Sequence, residues 1–315
     1  MSTTNFYIVD SVKGGCGKTS IALFKSMELA VTKEESKKDD KTGEKKVCYL
    51  DLDLLGTSTA VFLKMDKILF LNDLFKGNRM AVRTKQVKQD FWFDEDQNGS
   101  FVFRKNNGTN KIGIVLSNPI QEEKNRFRVG YPTDGHHIDY DFFARRLNEL
   151  IRELLDGGFT DFVIDMPPNS DPYTDSIFDL LLHREPEKEK REKIVNLLLV
   201  SSLDNSHRTA NLSWYNDLIT MDHSWHSFDC VELYLNDIRN CVDKEDFVGK
   251  NHMRISQLVS SYASKYGQNG SKTTVKSFWV KYNEDLSSDS IEENGIEKLH
   301  LLIEEIKQNG KNRAL

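Results

Sequence analysis

Lys13-Gly14-Gly15-Cys16-Gly17-Lys18-Thr19-Ser20 is the segment best equipped for chemistry. Its glycines let a ligand approach the backbone, and its two lysines supply positive charge. An apolar run at residues 6–9 precedes it. Ile21, Leu23, Phe24, Met27 and Val31 recur after it at helical spacing. The pattern predicts a strand, a tight turn and a helix over residues 18–31, so that backbone N–H groups converge on one anion at the helix N-terminus. Gly14, Gly15, Cys16, Gly17, Lys18, Thr19 and Ser20 are the residues expected to cradle a phosphate chain. Lys18 would face the β- and γ-phosphates, and the Thr19 hydroxyl is placed to ligate a Mg²⁺ that the phosphates also bind.

Three acids stand at the ends of apolar runs. Asp51 and Asp53 follow residues 47–50, one residue apart. Strand alternation would send their side chains to opposite sides unless the strand has already turned, so the two are expected to do different work. Asp165 ends the run Phe162-Val163-Ile164 and is followed by Met166-Pro167-Pro168. A carboxylate at the end of a buried strand projects at the carboxyl edge of a sheet, and the prolines stop the strand and stiffen the turn. Asn236 closes a further run, Val231-Glu232-Leu233-Tyr234-Leu235. Its amide can both donate to and accept from a base edge, and it can equally form a turn.

Short apolar runs alternating with helical patterns are needed to hold these groups, and such runs are present at residues 6–9, 47–51, 111–116, 162–165, 194–200, 231–235 and 275–280. A helix is expected over 140–155 and a last one over 296–306. The order points to an α/β fold: a mostly parallel twisted sheet flanked by helices in three layers. Residues 91–93 and 101–103, with 94–99 between them, read as a hairpin. The expectation is one domain over 1–315 with an insertion at about 70–110.

Composition narrows the class. The chain has 315 residues, 43 Lys plus Arg against 49 Asp plus Glu, and a net charge of −6, which excludes a protein that coats nucleic acid with its whole surface. The four cysteines form no CxxC, which excludes a disulfide framework and the paired thiolates of an iron–sulfur site. With no apolar run of membrane-spanning length and no leader pattern, a cytoplasmic protein is expected.

Val12 stands where the ordinary GxxxxGK[ST] pattern has its first glycine, and Lys13 follows. The segment instead matches KGGxGK[ST], and in this it resembles the ParA/MinD superfamily of ATPases, with the ParA-like branch closest. The resemblance implies bound ATP and Mg²⁺, a homodimer formed with ATP, and slow hydrolysis to ADP and phosphate. It implies that Lys13 reaches across the dimer to the partner's nucleotide, as an arginine finger does elsewhere. By the same resemblance Asp51 would hold a water of the Mg²⁺ and Asp53 would position the hydrolytic water. Asp165 would be the Walker B acid and Asn236 would read adenine. Lys13, Lys18 and Asp53 are thus the expected catalytic residues, and Thr19, Asp51 and Asp165 the expected metal set.

The resemblance also suggests cargo. Lys250, Arg254, Lys265, Lys272, Lys276 and Lys281 would give a basic face for non-specific DNA, balanced by nearby acids, and a protein partner would stimulate hydrolysis. Glu297, Glu304 and Glu305 on the last helix favour packing on the sheet over membrane insertion. Two functions stay open: an ATP-driven switch that positions or segregates DNA or other cargo, and a nucleotide-gated interaction module, such as a defence or conjugation subunit, with little turnover.

Overall fold

The longest apolar runs form strands buried on both faces, the environment that parallel strands require. The computed structural model describes residues 3–35, 46–53, 59, 71, 101–105, 108–117, 140–168, 172–182, 192–202, 205–220, 228–236, 253–254, 256–257 and 274–279. In chain order the elements are β1 (Thr3–Asp10), α1 (Lys18–Glu35), β2 (Lys46–Asp51), β3 (Phe101–Lys105), β4 (Gly108–Val115), α2 (Tyr140–Asp156), β5 (Phe159–Asp165), α3 (Pro172–Leu182), β6 (Glu192–Ser202), α4 (Asn205–Thr220), β7 (Cys230–Asn236) and β8 (Thr274–Trp279).

The chain divides into two units. One comprises Met1–Ile21, Pro168–Ser170 and Leu181–Leu315; the other comprises Ala22–Pro167 and Asp171–Leu180. In the first unit the strand order is β1-β6-β7-β8, all parallel. Ile8, Val9, Leu197, Leu198, Leu199, Val231 and Leu235 build its core. Asp229 sets the entry to three strands. Its N–H donates to Val195 O at 2.8 Å, its carboxylate accepts from Val195 N–H at 2.8 Å, and its carbonyl accepts from Thr274 N–H at 3.0 Å. Helix α4 packs on β6.

In the second unit the order is β3-β4-β2-β5, with β2 parallel to both β4 and β5. Cys48, Tyr49, Leu50, Val163 and Ile164 are fully buried. Leu147, Leu150, Ile151 and Leu154 form the apolar stripe of α2, which packs on β5. Gly158 ends the α2–β5 connection at φ 89°, a left-handed conformation that suits glycine after a helix. Gly113 on β4 is required for a different reason. A Cβ there would lie 2.6 Å from the Phe159 ring.

The strands expected at 6–9, 47–51, 111–116, 162–165, 194–200, 231–235 and 275–280 and the helix over 140–155 are present; most ends run one to three residues further, while β4 ends at Val115 and β8 is described to Trp279. Helix α1 runs on to Glu35, as Lys33, Glu34 and Glu35 are good helix formers. Phe101–Lys105 is a strand, but it pairs antiparallel with β4, through Phe101↔Ile112 to Lys105↔Gly108. Residues 91–99 of the expected hairpin and the last helix lie outside the described residues. Apart from β3, each strand runs parallel to its neighbours within its unit, so the fold is α/β with mostly parallel strands and accompanying helices.

Candidate functional site

The turn after β1 is shaped by glycines and held from one side by α4. Gly15 and Gly17 take φ 75° and 93°, a region that side chains with a Cβ disfavour. Ile21 N–H donates to Gly17 O at 3.1 Å, so the helical ladder starts within the turn. Lys18 opens α1 and is 8% exposed, yet it makes no ion pair among the described residues. Cys16 lies beneath the turn, with its thiol against Lys13 O at 3.5 Å. Burial pushes that thiol above its usual value, opposed by Ser11 and by the Lys18 charge. Thr19 and Ser20 are half-buried, and Gly14 is exposed.

Asn211 of α4 is the clamp that sequence reasoning missed. Its Oδ1 accepts from Val12 N–H at 2.9 Å, and its Nδ2 donates to Val200 O at 2.8 Å. The entrance of the turn is thereby tied to the end of β6. Ser11 N–H donates to Asp10 Oδ1 at 2.7 Å, and Ser11 Oγ donates to Lys13 O at 3.1 Å. Lys13 Nζ donates to Ser206 Oγ at 2.8 Å, at the start of α4. Asn211 and Ser206 lie 199 and 193 positions from their partners, and no local pattern marks either of them. Asn236 is the last residue of β7, in register with Ser202 of β6.

The acids form a second group, in the second unit. Asp51 and Asp165 are register partners at the ends of β2 and β5. Both are buried, and Leu52 N–H donates to Asp165 O at 3.0 Å. Asp53 lies beyond the end of β2, where the chain has turned. Its N–H caps Asp51 Oδ1 at 3.1 Å, so the strand alternation does not extend to it. Ser117, after β4, donates its N–H to Asp51 Oδ2 at 3.4 Å and its hydroxyl to Asp51 O at 2.8 Å. Burial, then the Asp165 and Asp53 charges, hold the Asp51 carboxyl well above its usual range.

Tyr49 lies beneath this pair. Its hydroxyl donates to Asp165 Oδ2 at 3.0 Å and meets Thr59 Oγ1 at 2.9 Å. Burial raises the phenol well above its ordinary value, and the charges of Asp165 and Asp51 add to this. Two hard oxygen donors crowded together in a dry setting suit a divalent cation, whose charge removes their mutual repulsion. Among the described residues no group of three or more His, Cys, Asp or Glu forms a full metal cage.

Of the six basic residues expected on a DNA-binding face, Arg254 and Lys276 are described, and both are exposed. Lys276 Nζ lies 3.8 Å from Glu232 Oε1 of its own unit. No helix among the described residues is long and apolar enough to cross a membrane.

No protein-family model and no curated protein matches the chain. Among solved structures the chain is similar to the MinD cell division protein of Aquifex aeolicus, with a TM-score of 0.50 at 12% identity over 99% of both chains. A ParA from pNOB8 follows at TM-score 0.49 and 17% identity, over 95% of this chain and 84% of that one. A plasmid partition protein of Borrelia burgdorferi B31, bound to AMPPNP, follows at 0.48 and 15%, over 98% and 100%. The MinD likeness is one of fold, and the fold is that of a P-loop NTPase. Within that class it is the ParA/MinD fold.

Proposed function

We propose that this chain is an ATP-dependent dimerisation switch that hydrolyses ATP slowly and positions or segregates DNA or another cargo. The observation that carries the proposal is the turn at 13–20. Two left-handed glycines lead into a helix that opens on the buried Lys18, and the second lysine, Lys13, stands ahead of them. A buried ammonium at a helix N-terminus favours a polyanion such as a triphosphate.

In this reading the backbone of Gly14, Gly15, Cys16 and Gly17 cradles phosphates, with Lys18, Thr19 and Ser20 at the helix start. Asn236 reads adenine. Thr19, Asp51 and Asp165 hold Mg²⁺, which when bound screens the charge on the transferring phosphoryl group. Asp53 orients the attacking water. Lys13 exchanges its Ser206 contact for the nucleotide of a second copy, placing positive charge where negative charge develops. A protein partner accelerates turnover in the cytoplasm, and the lysines of the C-terminal third contact DNA phosphates.

Size-exclusion chromatography with light scattering tests this, with ATP or ADP, with and without DNA, across a salt series. A dimer is expected with ATP alone among the nucleotides, and DNA binding should weaken steeply with salt. Lys13→Ala should still bind ATP but lose dimer-dependent hydrolysis by about 10²-fold or more. A monomer under every condition would overturn the switch.

A further inference from the structure

Tyr49 is the polar residue in a stretch of β2 otherwise filled by Val47, Cys48 and Leu50, and it is fully buried. A phenol in such a place needs partners for its hydroxyl. Tyr49 lies two residues before Asp51, so the two share one face of the strand. Asp51 is in register with Asp165 on β5, and this makes Asp165 the diagonal neighbour within reach of the Tyr49 ring. The contact is made at 3.0 Å.

The proton count fixes the direction of the chain. A phenol has one hydrogen, which goes to the carboxylate, so the Thr59 hydroxyl must donate to the Tyr49 oxygen. The result is a buried relay, Thr59 to Tyr49 to Asp165. Thr59 lies six positions beyond Asp53 in the chain. The relay thus joins one acid of the pair to a buried threonine hydroxyl.

We propose that Tyr49 is a positioning residue: it fixes the Asp165 carboxylate for the cation and is itself held by Thr59, so that cation binding depends on both hydroxyls. This rests on the reading of Asp165 as a cation-holding acid. Occupying one carboxylate oxygen with a fixed donor sets the plane of the other. Losing such an orienting partner typically weakens metal affinity about 10- to 100-fold.

The test uses the full chain with ADP and Mn²⁺ as a paramagnetic probe, with free Mn²⁺ read by electron paramagnetic resonance. Tyr49→Phe keeps the ring and removes the hydroxyl. It should bind Mn²⁺ about 10-fold more weakly or worse, while affinity for ADP without metal stays unchanged. Thr59→Val should weaken Mn²⁺ by a smaller factor. The double variant should be no weaker than Tyr49→Phe, because Thr59 acts through Tyr49. A purely structural role would lower the melting midpoint and leave Mn²⁺ affinity alone; that result, or additive losses, overturns the proposal. Should Tyr49→Phe fail to fold, Thr59→Val carries the same readout alone. Asp165→Asn separates the two levels. If it loses Mn²⁺ and Tyr49→Phe does not, only the relay fails. If Asp165→Asn binds Mn²⁺ like the parent, the cation assignment fails first.

Discussion

Asp51 and Asp165 end neighbouring parallel strands with their carboxylates brought together and dry. The raised Asp51 carboxyl binds a proton more readily in the folded chain than in the unfolded one. It therefore favours folding below its ordinary value of 3.8, and this contribution fades as pH rises through the raised value. Above its ordinary value and without a divalent ion, keeping the Asp51 carboxyl beside Asp165 in a dry setting opposes folding. Asp51→Asn keeps one oxygen for the Asp53 N–H, gives up the longer bond from the Ser117 N–H, and removes the charge. In EDTA at pH 7 it should melt a few degrees above the parent, about 2–4 °C for each kcal/mol gained, and the gap should narrow as pH falls. Thermal melts across pH check this, and a gap independent of pH would show that repulsion between the acids is not its source.

At the scale of elements, β4 and β5 meet β2 from either side, and Gly113 leaves room for the Phe159 ring. Gly113→Ala puts a methyl group 2.6 Å from that ring, so ring or strand must shift. A loss of about 1–3 kcal/mol is expected, measured by denaturant unfolding; an unchanged midpoint would mean that the ring turns aside freely. This packing shows how far the sequence could be read. Strands such as β5 and β6 were legible because burial on both faces leaves an uninterrupted apolar run. The turn and its acids were legible because their chemistry is local: neighbouring residues make the motif. Asn211, Ser206, Ser117 and Thr59 were not legible, because each acquires its role from a residue in another element. The antiparallel pairing of β3 with β4 was not legible either, because neither run marks the other as its neighbour. Helix α3 was passed over although Asp175 and Asp179 stand exposed opposite the buried Ile177, Phe178, Leu181 and Leu182.

For the molecule as a whole, binding that selects the folded state should be visible as stability. At a free ATP concentration 100 times its Kd, magnesium present, unfolding should become harder by about 2.7 kcal/mol. Lys18→Ala, exchanging a buried cation for a methyl group, should lose most of that gain while folding normally without nucleotide. Differential scanning calorimetry with and without ATP measures both. Equal stabilisation of the variant and the parent would separate Lys18 from nucleotide binding.

The β1–β6 ladder pairs Thr3 with Glu192, and Asn211 grips Val12 from 199 positions away. On the ribosome, the amino-terminal strand therefore emerges long before these companions. At about 5–20 residues per second the delay is roughly 10–40 s. A nascent or truncated chain that stops short of β6 carries the whole glycine motif without the clamp that holds its entrance. Possession of the motif and possession of the assembled turn are thus separated in time, and only a chain synthesised past α4 has both.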